Sequence, residues 1–357
     1  MRELFESSIE RLLGDVATTE YLLGCESGVW PTRLWEALEE SGFTLAGAPE
    51  ALGGAEAGWS DLYVIARAAG RFAVPAPLCE ALLGNWLLGK AGIEAQSGVL
   101  SFSADANLTL RDGRVYGTAR AVPWGRHAQS LVAIADGGTE WARVVLLSRA
   151  SATAVAERLN VAGEPRDYLE FAGATPLGSA ELPVGLSSDV LQLGGALLRS
   201  AQIAGALRSL MDMTSGYARD RNQFGKPIGA FQAIQQQLAV FAEHAAAANI
   251  AAEAAFVESD TALAAFTIAV AKVSTAEAAS VGAGIAHAVH GAIGFTQEYS
   301  LHLFTRRLWA WRSEFGSATL WSRRLGEQVC QAGGDGLWPL LTRHASQPLT
   351  CLTETSV

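Results

Sequence analysis

The sequence contains very little cysteine, and the cysteines that it has are scattered. The four are Cys25, Cys79, Cys330 and Cys351, and no two of them form a C-x-x-C pair. Zinc sites and disulfide frameworks need clustered or regularly spaced cysteines, so neither is indicated. Isolated cysteines are typical of a reducing compartment, and we expect a cytoplasmic protein.

Charge is also scarce, and positive charge is scarcer than negative. Charged residues make up 17% of the 357, with 26 Lys and Arg against 36 Asp and Glu, a formal net charge of −10. Non-specific binding to nucleic acid needs a basic surface, so this balance argues against it. Hydrophobic residues reach 50%, which predicts a large core spread over two or three domains.

The sequence indicates neither a signal peptide nor a membrane span. The first 15 residues, MRELFESSIERLLGD, are acidic and amphipathic, unlike a secretory leader. The most apolar tract, residues 261–294, carries Lys272 and Glu277. We therefore predict a buried helix there and no association with a membrane.

Hydrophobic periodicity divides the chain into three domains and a tail, an α+β multidomain fold. Residues 1–96 have mainly helical spacing and predict an N-terminal α-helical domain. Residues 97–186 form short alternating stretches between turns such as Asp112-Gly113 and Gly137-Gly138, which predicts an antiparallel β domain. Residues 187–335 predict a C-terminal four-helix bundle, and residues 336–357 a peripheral tail.

The bundle is predicted from four long apolar-faced helical segments. They are residues 187–222, 230–257, 260–290 and 298–311, the last continuing irregularly to about residue 333.

Three stretches resemble signatures of the acyl-CoA dehydrogenase family. PEALGGAEAG at residues 49–58 resembles its N-terminal turn, PE-x-x-GG-x-G. ARDRNQFGKPIGAFQAIQQQLA at residues 218–239 resembles R-x-x-FG-x-x-[IL]-x-x-FQ-x-[IV]-Q. HGAIGFTQEYSLHLFTRRL at residues 290–308 resembles HGG-x-GFT-x-E-x-x-LH-x-Y-x-R. Together, in this order behind a helical and a β domain, the motifs are far more specific than any one alone.

This resemblance implies an α domain, a β domain and a four-helix bundle, with FAD between the last two and part of each site supplied by a neighbouring subunit. It implies removal of hydrogens from Cα and Cβ of an acyl-CoA thioester, with electrons passing to an electron-transferring flavoprotein. Such a reaction needs a cofactor, because no side chain accepts hydride. It also needs a base, for which a carboxylate in a dry pocket is suitable.

For the cofactor, the resemblance assigns Arg221, Gln223 and Phe224 to the adenosine diphosphate end of FAD, with a further hydrogen bond from Gln232. A planar guanidinium pairs well with a diphosphate. The alternative is a plain helix end with a solvated arginine and a turn at residues 225–227.

The second signature adds His290, Gly291 and Gly294 to the expected cofactor site, since glycine permits close approach of a diphosphate. The family's Gly and Gln are replaced here by Ala292 and Ala288. The alternative is a glycine turn ending a buried helix.

His287 and His290 have the H-x-x-H spacing of two metal ligands. They lack an evident third ligand, so we expect no metal.

Trp124 stands at a strand end near the expected flavin ring, which it would cover; the alternative is a tryptophan that closes the β core. The T-E-P-x-x-GSD-like loop that holds the flavin ring in the family is missing, and the sequence here reads SFSADANLTL. If Gly316 matches a family glycine, Ser317 and Thr319 would donate to FAD.

The same alignment puts Phe315 at the position of the base, with Glu314 one residue earlier as the nearest carboxylate. The second position used for a base in the family falls near Gly195 and Ala196. Glu314 is therefore the candidate base, and a surface ion pair with Arg312 or Arg324 is its alternative role.

Two functions follow from the sequence. One is a self-sufficient FAD-dependent acyl-CoA dehydrogenase, a homo-oligomer with Glu314 as base. The other is a catalytically silent subunit of a hetero-oligomer, completing the FAD site of a paralogous chain. The missing flavin loop and Phe315 favour the second.

Overall fold

The computed structural model describes residues 1–26, 28–136, 142–260 and 262–342. The predicted Gly137-Gly138 turn, Cys351 and residues 343–357 of the predicted tail lie outside these ranges. The N-terminal part is helical. Its helices are α1 (Arg2–Val16), α2 (Thr19–Cys25), α3 (Thr32–Glu40), α4 (Trp59–Arg71) and α5 (Leu78–Lys90).

The middle of the chain forms one eight-stranded sheet in the order β6-β7-β3-β2-β4-β5-β8, with β1 beside β4. The strands are β1 (Leu100–Ser103), β2 (Asp105–Arg111), β3 (Arg114–Pro123), β4 (Ser130–Asp136), β5 (Ala142–Ser148), β6 (Ala154–Ala156), β7 (Arg166–Ala174) and β8 (Gly178–Glu181). Asp112 and Gly113 both have positive φ and make the predicted turn between β2 and β3.

The sheet is mostly antiparallel, as predicted, with a parallel exception at β4. Strands β1 and β2 both pair with β4 in parallel, whereas the remaining pairings in this sheet are antiparallel. Short-range turn signals reveal hairpins, but they carry no information about how strands distant in sequence are paired.

The C-terminal part contains the expected long helices. They are α6 (Val190–Asp220), α7 (Gln232–Glu258), α8 (Ala265–His290), α9 (Leu301–Trp311), α10 (Ala318–Ala332) and α11 (Gly334–Thr342). The α6–α7 junction forms a minimal hairpin, β9 (Asn222–Gln223) with β10 (Lys226–Pro227). The α+β architecture is thereby confirmed.

The fourth helical segment, predicted to continue irregularly after residue 311, consists of α9 and α10 with a break between them. Phe315 and Gly316 have φ values of 54° and 102°, which no α-helix accommodates. Ser317 then restarts the helix, because its hydroxyl oxygen accepts a hydrogen bond from the Leu320 amide at 3.2 Å.

By length and composition, the stretch Ala265–Phe295, which includes α8, could cross a membrane. In the structure α8 instead packs against α6, α7 and α9. Its Ile268, Lys272 and Thr275 are fully buried. It is a core helix of the bundle, as the two charged residues within the tract predict.

The N-terminal domain joins the bundle through a close crossing of α4 and α6. A Cβ atom at Gly70 would lie 1.9 Å from the carbonyl oxygen of Gln202, and one at Gly205 would lie 2.0 Å from that of Arg67. Glycine is thus required on both helices for their backbones to touch. The crossing fixes α6 against the N-terminal helices and so sets the position of residues along it.

We predict that Gly205→Ala lowers the free energy of unfolding by about 1–3 kcal/mol, because the added methyl meets backbone atoms that cannot rotate away. Gly216→Ala on the same helix is the matched control, since a Cβ there meets nothing within 4 Å. It should stabilise by up to about 1 kcal/mol through helix propensity. Urea unfolding followed by tryptophan fluorescence measures both, and equal effects would contradict the close crossing.

Candidate functional site

The first site lies where α6 turns into α7, next to the end of α8. We call it the junction cleft; its volume is about 680 Å³, and its lining includes Tyr217, Arg221, Gln223, Phe224, His290 and Gly291. Phe224 and Gly225 have φ values of 53° and 80°, which reverse the chain within two residues. Gln235 fastens the turn by donating to the carbonyl oxygen of Gly229 at 3.0 Å.

Side chains at this junction point to solvent, away from the protein core. Arg221, Gln223 and Gln232 are exposed. The Arg221 guanidinium has no hydrogen bond or ion pair with any residue that the structure describes. Phe224 is 90% exposed and touches the ring of Phe231 edge-on, with centroids 6.1 Å apart. A free cation beside an exposed aromatic ring at the rim of a cleft fits a phosphorylated, planar ligand.

His290 lines the same cleft, yet its two nitrogens are occupied by the protein. Nδ1 lies 2.7 Å from the carbonyl oxygen of Ala286, so it carries the proton and donates. Nε2, 3.2 Å from the Tyr299 hydroxyl, then accepts from it. The ring stacks on Tyr217 with centroids 4.4 Å apart, and burial lowers the pKa of His290. His290 therefore offers a neutral ring to the cleft and no free donor.

The two glycines after His290 differ in role. Gly291 has a φ of 62° and open space where a side chain would be, so its backbone is accessible. Gly294 is buried, and a Cβ there would lie 3.0 Å from the Cβ of His290 and 3.1 Å from Leu301. Gly294 permits packing of the turn on α9, and the prediction that it contacts a diphosphate is not supported.

Trp124 is buried, as its alternative role in the core would require. Its side chain is 9% exposed and packs against Trp30 and His127, with centroids 6.1 Å away in both cases. It fastens the N-terminal domain to the sheet, and its assignment to the flavin ring stays a prediction. Ala121, three residues earlier on β3, is the residue that lines the neighbouring cleft.

That neighbouring space, the interdomain cleft, lies between the sheet and the bundle. It has a volume of about 710 Å³, and its lining includes Arg120, Ala121, Asn160, Arg166, Glu314 and Phe315. Ser317 and Thr319, just beyond Phe315, are both exposed. Ser317 is already engaged as the helix cap, and the assignment of these two residues to FAD stays a prediction.

Glu314 is held inside a cluster of cations. Arg166 donates to its two oxygens from Nε at 2.7 Å and from Nη2 at 2.9 Å, and Arg199 donates from Nε at 2.8 Å. Asn160 donates a fourth hydrogen bond at 2.9 Å. Burial alone would raise the pKa of Glu314, but Arg166 and Arg199 outweigh it and hold that pKa well below its usual range.

A carboxylate held in this way is a poor proton acceptor, which weighs against Glu314 as the base. Its alternative role also changes, because the ion pairs are buried and involve other partners. Arg312 donates to the Ser280 hydroxyl at 2.7 Å and lies over the ring of Trp309, and Arg324 lies 3.9 Å from Asp189. Neither pairs with Glu314.

The resemblance assigns a base to two positions, Phe315 and the vicinity of Gly195, and these two residues lie against one another in an apolar contact. The ring of Phe315 lies directly on Gly195, where a Cβ would be 2.5 Å from Phe315 Cγ. The ring of Phe102 completes the contact with its centroid 5.4 Å away. A proton acceptor is therefore absent from this contact between α6 and the α9–α10 turn.

Sequence reasoning missed Arg166, Arg199 and the role of Lys272. Arg199 also pairs with Glu80 at 2.7 Å, and both are buried. Lys272 Nζ donates to the carbonyl oxygens of Trp311 at 2.7 Å and Arg312 at 3.0 Å, and burial lowers the pKa of Lys272 to about 7. For Lys272 and Arg199, the available signal was a charged residue within an apolar helical stretch, which indicates a buried, paired group.

We predict that Arg199→Met lowers the free energy of unfolding at pH 7 by about 3–5 kcal/mol, because Glu80 loses its partner and Glu314 one of two. Arg208→Met is the matched control on the same helix; its pair with Asp212 is exposed, so the loss should stay below about 1 kcal/mol.

The loss of unfolding free energy in Arg199→Met should also depend on pH. Because the folded pKa of Glu314 is depressed, its stabilisation is complete above the unfolded pKa of about 4.3 and is lost as the pH falls. Urea midpoints of wild type and Arg199→Met should therefore approach one another below pH 4. A deficit that does not change with pH would contradict the ionised cluster.

Comparison with known proteins agrees with this architecture. The model of the acyl-CoA dehydrogenase C-terminal domain matches residues 194–327. Acyl-CoA dehydrogenase IpdE2 of Mycobacterium tuberculosis is 28% identical over 313 residues, covering 86% of this chain and 89% of the relative.

Two solved structures share the fold. The ChsE4-ChsE5 complex of Mycobacterium tuberculosis superimposes with a TM-score of 0.83 and 24% identity, covering 92% of this chain and 97% of the other. The FAD complex of PigA gives a TM-score of 0.80 and 17% identity, covering 93% and 98%. With both signatures on the bundle and this architecture throughout, the chain carries an acyl-CoA dehydrogenase C-terminal domain at residues 194–327 and resembles acyl-CoA dehydrogenases over most of its length.

Proposed function

We propose that the chain acts in FAD-dependent α,β-dehydrogenation of an acyl-CoA thioester as the subunit that completes a cofactor site with a paralogous chain, without supplying the base. The observation that carries this proposal is the contact of Phe315 with Gly195. Both family positions for a base meet there, and neither side chain can accept a proton.

The residues of the junction cleft fit the adenosine diphosphate end of FAD. Arg221 is a free, exposed cation, Phe224 offers an aromatic face, and Gly291 leaves the backbone open to close approach. Arg221 would pair with the diphosphate and Phe224 would pack on the adenosine. Bound FAD would supply the acceptor for the β hydride.

An exposed ring such as Phe224 at a rim of this kind also favours cover by a second subunit, since large apolar groups are usually buried in an assembly. The ChsE4-ChsE5 complex is a structure of two named chains, and the chain compared has this fold, which supports a hetero-oligomer as the assembly. Electron transfer to an electron-transferring flavoprotein and a cytoplasmic location are parts of the same proposal.

One observation favours a second candidate, the self-sufficient dehydrogenase. Glu314 lines the interdomain cleft next to Phe315, so a carboxylate is present close to the required place. To act as base it would have to leave Arg166 and Arg199, and its low pKa makes it a weak acceptor.

We predict that the chain purified alone is colourless, whereas its complex with a base-carrying paralogue retains FAD through gel filtration. In the complex, Arg221→Gln should weaken FAD binding by about 10- to 100-fold, the value of a charge-assisted hydrogen bond. The control is Arg219→Gln, an exposed arginine that does not line the junction cleft, and it should change FAD affinity less than twofold.

Flavin absorbance and titration with FAD give both quantities. A yellow chain that acyl-CoA bleaches without any partner would establish the second candidate. Unchanged affinity in Arg221→Gln would show that the junction does not hold the diphosphate.

We also predict that Glu314→Gln leaves anaerobic flavin bleaching by acyl-CoA within about threefold of wild type, per bound flavin. Loss of a true general base costs about 10²- to 10⁴-fold. Replacing the base carboxylate of the paralogue is the comparison, and there the full loss is expected. A loss of that size in Glu314→Gln, with FAD still bound, would make Glu314 the base.

A further inference from the structure

We propose that Phe315 is a plug that closes the inner end of the interdomain cleft of this chain to an acyl group, and that Lys272 and Arg199 are positioning residues that hold the plug in place. This deepens the proposed function: the cleft without a base would also be closed to substrate, leaving productive binding to the cleft of the paralogous chain.

Gly195, against which the Phe315 ring packs, is the residue that leaves room for the ring. Gly195 lies inside α6 and has no positive φ that would require glycine. A glycine inside a helix costs about 1 kcal/mol relative to alanine, so its place here needs another reason. The reason is Phe315: a single methyl at position 195 would overlap its ring, with Cβ–Cγ and Cβ–Cδ1 distances of 2.5 Å and 2.6 Å.

Two further side chains contact the ring, whose remaining surface lines the interdomain cleft. Phe102 of β1 packs beside it, and the Arg199 guanidinium carbon lies 5.3 Å from the ring centroid. Sheet, helix α6 and the α9–α10 turn thus all meet at one aromatic side chain. Filling of this kind leaves no room for a ligand beside Gly195.

The turn that carries the plug is strained and held from several directions. Phe315 has a φ of 54°, a left-handed conformation that costs a non-glycine residue about 1–2 kcal/mol. Trp321 Nε1 donates to the carbonyl oxygen of Phe315 at 3.1 Å. Such a backbone persists only where the surroundings determine it.

Lys272 supplies the hold at the start of the turn. Its fully buried amine donates to the last carbonyls of α9, those of Trp311 and Arg312. These carbonyls have no partner within a helix that ends there. Lys272 therefore fixes the end of α9, and Arg199 fixes the position of Glu314. Together they determine where the Phe315 side chain lies.

The lining of the interdomain cleft has apolar and cationic side chains that suit an acyl-CoA, but Phe315 makes the cleft too shallow for the acyl group. Leu159 and Val161 are 60% and 64% exposed along the region that lines it, and Trp309 is 43% exposed. Arg120 and Arg158 are exposed cations in the same lining. Phe315 separates this surface from the space above Gly195.

The test uses S-butyl-coenzyme A, a thioether that binds like an acyl-CoA but has no carbonyl and cannot be dehydrogenated. Isothermal titration of the protein in its purified assembly counts the sites. We expect Phe315→Ala to add one site per copy of this chain: from one to two per pair with a paralogue, or from none to one if the chain assembles with itself. Trp338→Ala, an exposed aromatic truncation on α11, is the control and should add none.

The number of thioether sites does not depend on flavin reduction. The test of the plug therefore has an outcome separate from that of the proposed function. A wild-type protein that already fills the cleft of this chain, or a folded Phe315→Ala that gains no site, overturns the plug. If Phe315→Ala does not fold, Phe315→Leu is used with the same criterion: the variant must add one thioether site per copy of this chain, and a folded Phe315→Leu that adds none overturns the plug.

The holding role of Lys272 has its own readout. Lys272→Met keeps the length and apolar stem of the side chain but cannot donate to α9. Hydrogen exchange of the backbone amides of Arg312 and Ser313, which donate to the carbonyl oxygens of Leu308 and Ala310, should accelerate at least tenfold, while that of α7 amides stays the same. Unchanged exchange in a folded Lys272→Met would remove Lys272 from the proposal.

Discussion

The double salt bridge of Glu314 with Arg166 and Arg199 is the interaction on which the interdomain cleft depends. Arg166 begins strand β7 and Arg199 lies in helix α6, so one carboxylate ties the sheet to the bundle. Glu80 of α5 extends the cluster into the N-terminal helices. Buried charges cost several kcal/mol each unless they are paired, so all three parts of the chain must meet in one arrangement.

The same interaction limits the chemistry. A base for an α-proton works best when its pKa is raised, and the two arginines lower that of Glu314. Structure and proton transfer make opposite demands on this carboxylate, and here the structural demand prevails. The apolar contact between Phe315 and Gly195 adds no proton acceptor beside it, because only a ring and a glycine meet there. What the chain retains is the exposed junction between α6 and α7, whose free cation and ring suit a shared cofactor.

The features that could be predicted from the sequence are those set by interactions between residues close together in the chain. Helices and the Asp112-Gly113 hairpin follow from periodicity and turn residues, which act over a few positions. The irregularity after residue 311 was predicted, but the positive φ of Phe315 was not, because packing imposes it on a phenylalanine. The parallel pairing of β1 with β4 was not predicted, and burial of Trp124 was only one of two alternatives, because in both cases the partners are distant in sequence.

By itself the sequence determined the family, the order of domains and the exposed junction, since motifs and hydrophobic patterns are local properties of the chain. Only the tertiary structure decided the state of Glu314, the neighbours of Phe315 and the role of Lys272. Each depends on groups from different elements: Arg166 and Arg199 around the carboxylate, Gly195 under the ring, and the end of α9 over the amine. A pKa or a packing contact is set by the groups that surround a residue in space, and the neighbouring residues in the sequence do not reveal those groups.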